Sequence, residues 1–155
     1  MNQSQVGRAG EYLTASYLVR NFDEIFECPA QSRYDFLAML SSKSYKIQVK
    51  TSASTFKKNN TDWVRWDIKK KISNTGKQRL YKKEEVDIFA FVFLPLDKII
   101  FLPNEKLGKT YQKKVEFIKG FDPHESLNSA IEIINILKER ENEKKPNPII
   151  RDISS

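Results

Sequence analysis

The stretch YDFLAMLSSKSYKIQVKT, residues 34–51, holds two short apolar runs separated by the polar triplet Ser41–Ser42–Lys43. Tyr34–Leu40 and Ser44–Thr51 therefore read as two antiparallel strands joined by a tight turn. Setting Asp35 opposite Lys50 places Phe36 against Val49, Ala38 against Ile47 and Leu40 against Tyr45. These are three apolar pairs on one face. Side chains alternate along a strand, so Asp35, Gln48 and Lys50 share the opposite face. A slip by one residue would turn the apolar set of one strand outward.

Working outward, Val6–Val19 carries apolar residues at helical spacing, with Val6, Gly10, Leu13 and Tyr17 in one stripe and Ala9, Tyr12, Ala15 and Ser16 beside it. Ser4 is the expected N-cap. Glu11 projects from this helix. Glu24–Cys28 is predicted as an edge strand before Pro29. Asp62–Ile68 is predicted as a strand with Val64, Trp66 and Ile68 on one side, and Trp63, Arg65 and Asp67 on the other. Val86–Leu94 reads as an apolar central strand, followed by a turn at Pro95–Asp97 and a strand at Lys98–Leu102. Pro103–Leu107 suggests one helical turn. Asp122, Pro123 and Glu125 form an N-cap, first-turn proline and capping box. They open a helix whose inner stripe is Leu127, Ala130, Ile131, Ile134, Leu137 and Lys138, fading over Glu139–Lys145. The fold class expected is α/β, a mixed β-sheet flanked by helices. One domain is expected over 1–145, with a basic excursion at about 53–85 and a flexible tail at 146–155 carrying Ile149–Ile150.

The 155 residues can bury a core without disulfides. Cys28 is the single cysteine, which excludes an intrachain disulfide and a Cys-rich zinc site; packing is its expected role. The sequence shows neither a signal-peptide core nor a membrane-length apolar run, so a cytoplasmic protein is expected. The net charge is +7, but its distribution is more telling. Lys43–Lys83 holds 13 Lys or Arg against Asp62 and Asp67, +11 for the segment and −4 for the remainder. A basic patch on a mildly acidic body is the footprint of a phosphate-backbone binder. Lys69–Lys83, with a turn at Asn74–Gly76, has seven basic residues and no acid.

Hard oxygen ligands beside a lysine suit a divalent metal and a scissile phosphate. Asp35 is the first candidate ligand, followed by the Val49 backbone carbonyl, Glu11 and Gln48. The Gln48 amide oxygen can coordinate a cation without contributing charge, or its NH₂ can donate to a phosphate oxygen. Lys50 can orient or deprotonate water, or neutralise transition-state charge. Blander roles exist for each residue. An isolated Asp–Lys cross-strand pair is ordinarily a surface ion pair of little energetic consequence, Glu11 alone would be a solvated helix residue, and His124 a helix-start residue.

Gly10–Glu11, Tyr34–Asp35 and Gln48–Val49–Lys50 together resemble the PD-(D/E)XK nuclease superfamily over about residues 6–52. Two departures are visible: Tyr34 stands where the family has proline, and Gln48 where it has an acid. With this glutamine, the short basic chain is most similar to the homing endonucleases encoded in bacterial, notably cyanobacterial, group I introns. The resemblance implies a PD-(D/E)XK nuclease-like core, with Glu11, Asp35, Gln48 and Lys50 as catalytic residues. It also implies site-specific double-strand cleavage of a long DNA target with Mg²⁺ (Mn²⁺ substituting) and a homo-oligomer built as a dimer of dimers. The expected DNA contacts are Lys57, Lys58, Trp63, Arg65, Lys69, Lys70, Lys71, Lys77, Arg79, Lys82 and Lys83. The alternatives are a restriction-type endonuclease, a Holliday-junction resolvase, and a nuclease-like DNA-binding module without cleavage, which Gln48 keeps open.

Overall fold

The computed structural model describes residues 1–72 and 75–146. Asn74 of the expected turn lies outside them, as do the Lys71 side chain and the tail from 147 with its Ile149–Ile150 pair. The chain runs through α1 (Gln3–Asn21), β1 (Glu24–Glu27), β2 (Phe36–Leu40), β3 (Lys43–Ser52), β4 (Phe56–Lys58), β5 (Thr61–Asp67), β6 (Lys70–Lys71), β7 (Gln78–Arg79), β8 (Ile88–Phe93), β9 (Lys98–Pro103), β10 (Thr110–Lys114), α2 (Val115–Lys119) and α3 (Pro123–Lys144). A single 3₁₀ turn, Leu94–Leu96, links β8 to β9.

The main sheet has the order β1-β2-β3-β8-β9. Only β3 and β8 pair in parallel. On one face, Leu18 of α1, Phe22 just beyond its C-terminus, and Leu127, Ala130, Ile131 and Ile134 of α3 pack against Phe36, Ala38, Tyr45, Ile47 and Val49. The other face is covered by a three-stranded sheet, β10-β5-β4, and by α2. Val64, Trp66, Ile68 and Ile118 pack there against Phe89, Phe91 and Phe93. Every residue of β8 is buried because both faces are covered, which is why its sequence does not alternate.

The hairpin register differs from the sequence expectation. Phe36 pairs with Ile47 and Ala38 with Tyr45, two residues from the expected alignment. The turn contains only Ser41 and Ser42, both with positive φ (50° and 65°), while Lys43 already belongs to β3. Such a two-residue turn matches the twist of its flanking strands. A shift of two leaves every side chain on its face, so Asp35, Gln48 and Lys50 still share one.

Other expectations need correction. The N-cap of α1 is Asn2, not Ser4. Asn2 and Gln5 exchange side-chain and backbone bonds of 2.8 and 2.9 Å, satisfying two free helix donors at once. The buried stripe is Val6, Gly10, Thr14 and Leu18, leaving Tyr12 and Ser16 exposed. Pro103–Leu107 is not helical: Lys106 has φ 53°, and Asn104 bonds back to Asp87 and Val86. β10 and α2 have no counterpart in the sequence reading. Asp122 caps α3 through the His124 backbone at 3.0 Å instead of forming a box with Glu125. Lys138 is exposed, its ammonium on the Ser44 carbonyl, and α3 stays helical to Lys144. No helix among the described residues is long and apolar enough to cross a membrane.

Candidate active site

Asp35 sits at the mouth of β2, held by backbone bonds on both sides. Its N–H donates to the Ile47 carbonyl and its carbonyl accepts from Cys28, each at 2.9 Å. The carboxylate is held just as firmly. Oδ2 accepts from the Val49 backbone N–H and from Gln48 Nε2, both at 2.7 Å. Among the described residues, Oδ1 accepts from no donor. No buried side-chain polar atom among the described residues lacks a partner, so Oδ1 opens to solvent. Burial pushes the Asp35 carboxyl up to about 6, and the Glu11 charge adds to the rise. The Val49 bond, Lys50 and Gln48 oppose it.

Glu11 reaches the same place from α1. It lines a cleft of about 510 Å³ together with Asp35, Gly7, Arg8, Glu27 and Cys28. The close approach of α1 to β3 depends on Gly10, where a Cβ would lie 1.8 Å from Thr51 Oγ1. Thr51 follows Lys50 directly, so this glycine contact sets the height of Glu11 above the metal-candidate strand. Arg8 donates to Glu11 at 2.9 Å and to Glu27 at 2.6 Å, tying α1 to β1 across the cleft.

Gln48 turns its NH₂ toward Asp35 and, at 3.4 Å, toward the Val49 carbonyl. A glutamate at this position would set two carboxylates 2.7 Å apart in the metal-free protein. The neutral amide replaces that repulsion with a hydrogen bond. Lys50 lies close enough for its charge to act on Asp35, but it makes no ion pair among the described residues. Its ammonium donates to the Lys69 carbonyl at 3.2 Å and to Tyr81 Oη at 3.0 Å. Burial lowers the Lys50 pKa, with the charges of Asp35 and Asp67 opposing. Lys50 faces a neighbouring cleft with Thr51, Arg65 and Asp67 instead of the one that Asp35 and Glu11 share.

The donor set fits a hard divalent cation. Asp35 Oδ1 meets no donor among the described residues and Glu11 shares its cleft, while the Gln48 amide lies against Asp35 Oδ2 with its NH₂ 3.4 Å from the Val49 carbonyl. Groups of three or more Asp, Glu, His or Cys that could hold a metal do not occur among the described residues. A Mg²⁺-like ion that keeps most of its waters needs only one or two carboxylates.

The basic residues divide into two groups. Lys57 pairs with Asp62 at 3.4 Å, Arg65 with Asp67 at 3.1 Å and Lys83 with Glu141 at 2.9 Å. Arg79 grips the buried Glu85, which also accepts from the Lys82 backbone and is held down at about 2, chiefly by Arg79. Arg79 thus has a structural task that its position in the basic run does not reveal. Lys77 and Lys82 are exposed, Lys69 and Lys70 half-buried. Trp66 is core, its indole donating to the Val92 carbonyl, whereas Trp63 is half-buried between Lys58 and Lys114 at 5.5 and 5.6 Å. Lys113 and Lys114 on β10 extend this face. They lie outside the Lys43–Lys83 run, and only their adjacency in sequence could have marked them. Tyr81 and Arg8 carry no signal in the sequence alone.

A family profile described as PD-(D/E)XK endonuclease matches residues 1–131. Among solved structures, a bacterial homing endonuclease, I-Ssp6803I, superposes with a TM-score of 0.64 at 15% identity, covering 94% of this chain and all of that one. The shared feature is the fold. No curated protein sequence matches.

Proposed function

Because this chain belongs to the PD-(D/E)XK endonuclease family, we propose that it makes site-specific, metal-dependent double-strand breaks in a long DNA target, as an intron-homing enzyme does. The observation that carries the reading is the Asp35 carboxylate, with Oδ2 fixed by two donors and Oδ1 free beside Glu11. Asp35, Glu11, the Gln48 amide oxygen and the Val49 carbonyl would hold Mg²⁺, with Mn²⁺ as a substitute. When bound, the cation supplies Lewis-acid polarisation of the phosphate and acidifies water. Lys50 orients the attacking water or neutralises charge building on the phosphate. Its lowered pKa brings proton exchange nearer to neutral pH. Gln48 holds Asp35 in one orientation and offsets like-charge repulsion before the cation arrives.

In this reading, residues 1–145 act as one nuclease domain. The segment at 53–85, joined by Lys113 and Lys114, follows the phosphates of double-stranded DNA. Lysines there supply affinity, and Arg65 reads base edges. One site per chain cuts one strand, so a double-strand break calls for a symmetric pair. Two such pairs would form the tetramer, and sedimentation of the DNA-free protein is expected to show a species larger than a monomer.

The test is cleavage of supercoiled plasmid in Mg²⁺, with an intron-insertion sequence compared against a four-way junction. Asp35→Ala and Lys50→Ala are expected to remain folded and DNA-bound while losing cleavage. Wild-type cleavage by either variant would remove the site assignment. The neutral Gln48 and the small number of carboxylates favour a second reading, a DNA-binding module of the same fold. Absence of cleavage by the wild-type protein on every substrate, with tight duplex binding, would select it.

A further inference from the structure

The Lys50 ammonium is held by the two stems of the basic ribbon. Strands β6 and β7 pair Lys70 with Arg79 and Lys71 with Gln78. Lys69 enters this ribbon and Leu80–Tyr81 leaves it. The Lys69 carbonyl and Tyr81 Oη each accept a hydrogen bond from Lys50 Nζ, at 3.2 and 3.0 Å. An ammonium has three N–H donors. Two are used among the described residues, which leaves one for a phosphate oxygen or a water. The Tyr81 ring is itself anchored: it packs edge-on against Phe89 at 5.3 Å, and Phe89 neighbours Gln48 across the parallel pairing of β3 and β8.

We infer that Tyr81 is a positioning residue for Lys50, and that the ribbon offered to DNA is also the clamp that aims the catalytic ammonium. This rests on the proposed role of Lys50. A lysine side chain has many rotamers and loses much entropy when fixed. The two acceptors remove that freedom before substrate binds. Displacement of a catalytic group by about 1 Å can cost on the order of 100-fold in rate, so releasing one acceptor has a measurable consequence.

Tyr81→Phe is the test, because it removes the hydroxyl and keeps the ring on Phe89. The reference variant is Lys50→Ala. Three quantities are read: single-turnover cleavage of saturating duplex in Mg²⁺, duplex affinity without metal, and the rate at which an amine-reactive ester labels Lys50, followed by mass spectrometry. We expect Tyr81→Phe to melt with the wild type, bind duplex within about twofold, cleave about 10–100-fold more slowly, and label faster at Lys50. A loss of rate accompanied by equal labelling would mean that the hydroxyl does not act through Lys50, and would overturn the inference. So would cleavage within twofold of wild type by Tyr81→Phe when Lys50→Ala is inactive. If Lys50→Ala cleaves normally, the reading of the site itself fails, a separable outcome.

Discussion

Replacing Gly10 with alanine tests the packing that brings Glu11 to Asp35. Helix propensity alone favours the change by about 1 kcal/mol. The structure opposes it. The new Cβ would lie 1.8 Å from Thr51 Oγ1 and 2.8 Å from Thr51 Cβ and Cγ2. Rotation about χ1 can move Oγ1 away, but Thr51 Cβ is fixed to the strand backbone. Restoring an ordinary contact of 3.4 Å from that atom requires α1 to rise by about 0.6 Å. Overpacking of this kind costs about 1–3 kcal/mol, so the net loss after the propensity gain is up to about 2 kcal/mol. For a chain of this size the full 2 kcal/mol corresponds to a melting temperature lower by about 4–8 °C. Because Glu11 follows Gly10 directly, the same lift separates the two carboxylates and should lower cleavage about tenfold or more. Thermal melts and single-turnover cleavage measure both effects. The pair Gly10→Ala, Thr51→Gly should recover part of the stability, with a coupling of about 1 kcal/mol. A Gly10→Ala protein that melts at or above the wild-type temperature and cleaves normally would refute the reasoning.

Gln48→Glu should destabilise the metal-free protein by about 1–3 kcal/mol, because a carboxylate would replace the donor 2.7 Å from Asp35 Oδ2; Mg²⁺ should then raise its melting temperature more than that of the wild type. An equal metal-induced shift in the two proteins would argue against the contact. Replacing Lys69, Lys70 and Lys71 together by Ala should weaken duplex binding and flatten the log–log salt slope by up to about 0.9 per lost contact, whereas an unchanged slope would mean solvated lysines. The carboxyl of Glu85 is held at about 2, down from its ordinary 4.5, chiefly by Arg79. This ion pair therefore contributes stability that is present above pH 4.5 and is lost as pH falls towards 2. Arg79→Met should cost on the order of 1–2 kcal/mol at neutral pH, less than for a fully buried pair because the guanidinium is 35% exposed. Melts of the variant should also show a shallower acid limb, and matching pH profiles would exclude the pair as its cause.

The sequence by itself determined which side chains of the β2–β3 hairpin share a face. Alternation along residues 34–51 placed Asp35, Gln48 and Lys50 together, and the apolar β8 marked a strand covered on both sides. Asp122 and Pro123 marked the start of α3 because an N-cap is satisfied within one turn of chain. The tertiary structure decided what depends on distant partners. Alternation is unchanged by a shift of two, so the hairpin register was settled by the Ser41–Ser42 turn and not by the pattern. β10 was not legible because Thr110–Lys114 is polar and half-buried; it becomes a strand only against β5, with Tyr111 stacked on Trp66 at 5.7 Å. Arg79 reads as one more cation in a basic run until Glu85 is found beside it. The Lys50–Tyr81 bond joins residues 31 positions apart, and no local periodicity encodes a contact whose geometry is set by two packed sheets.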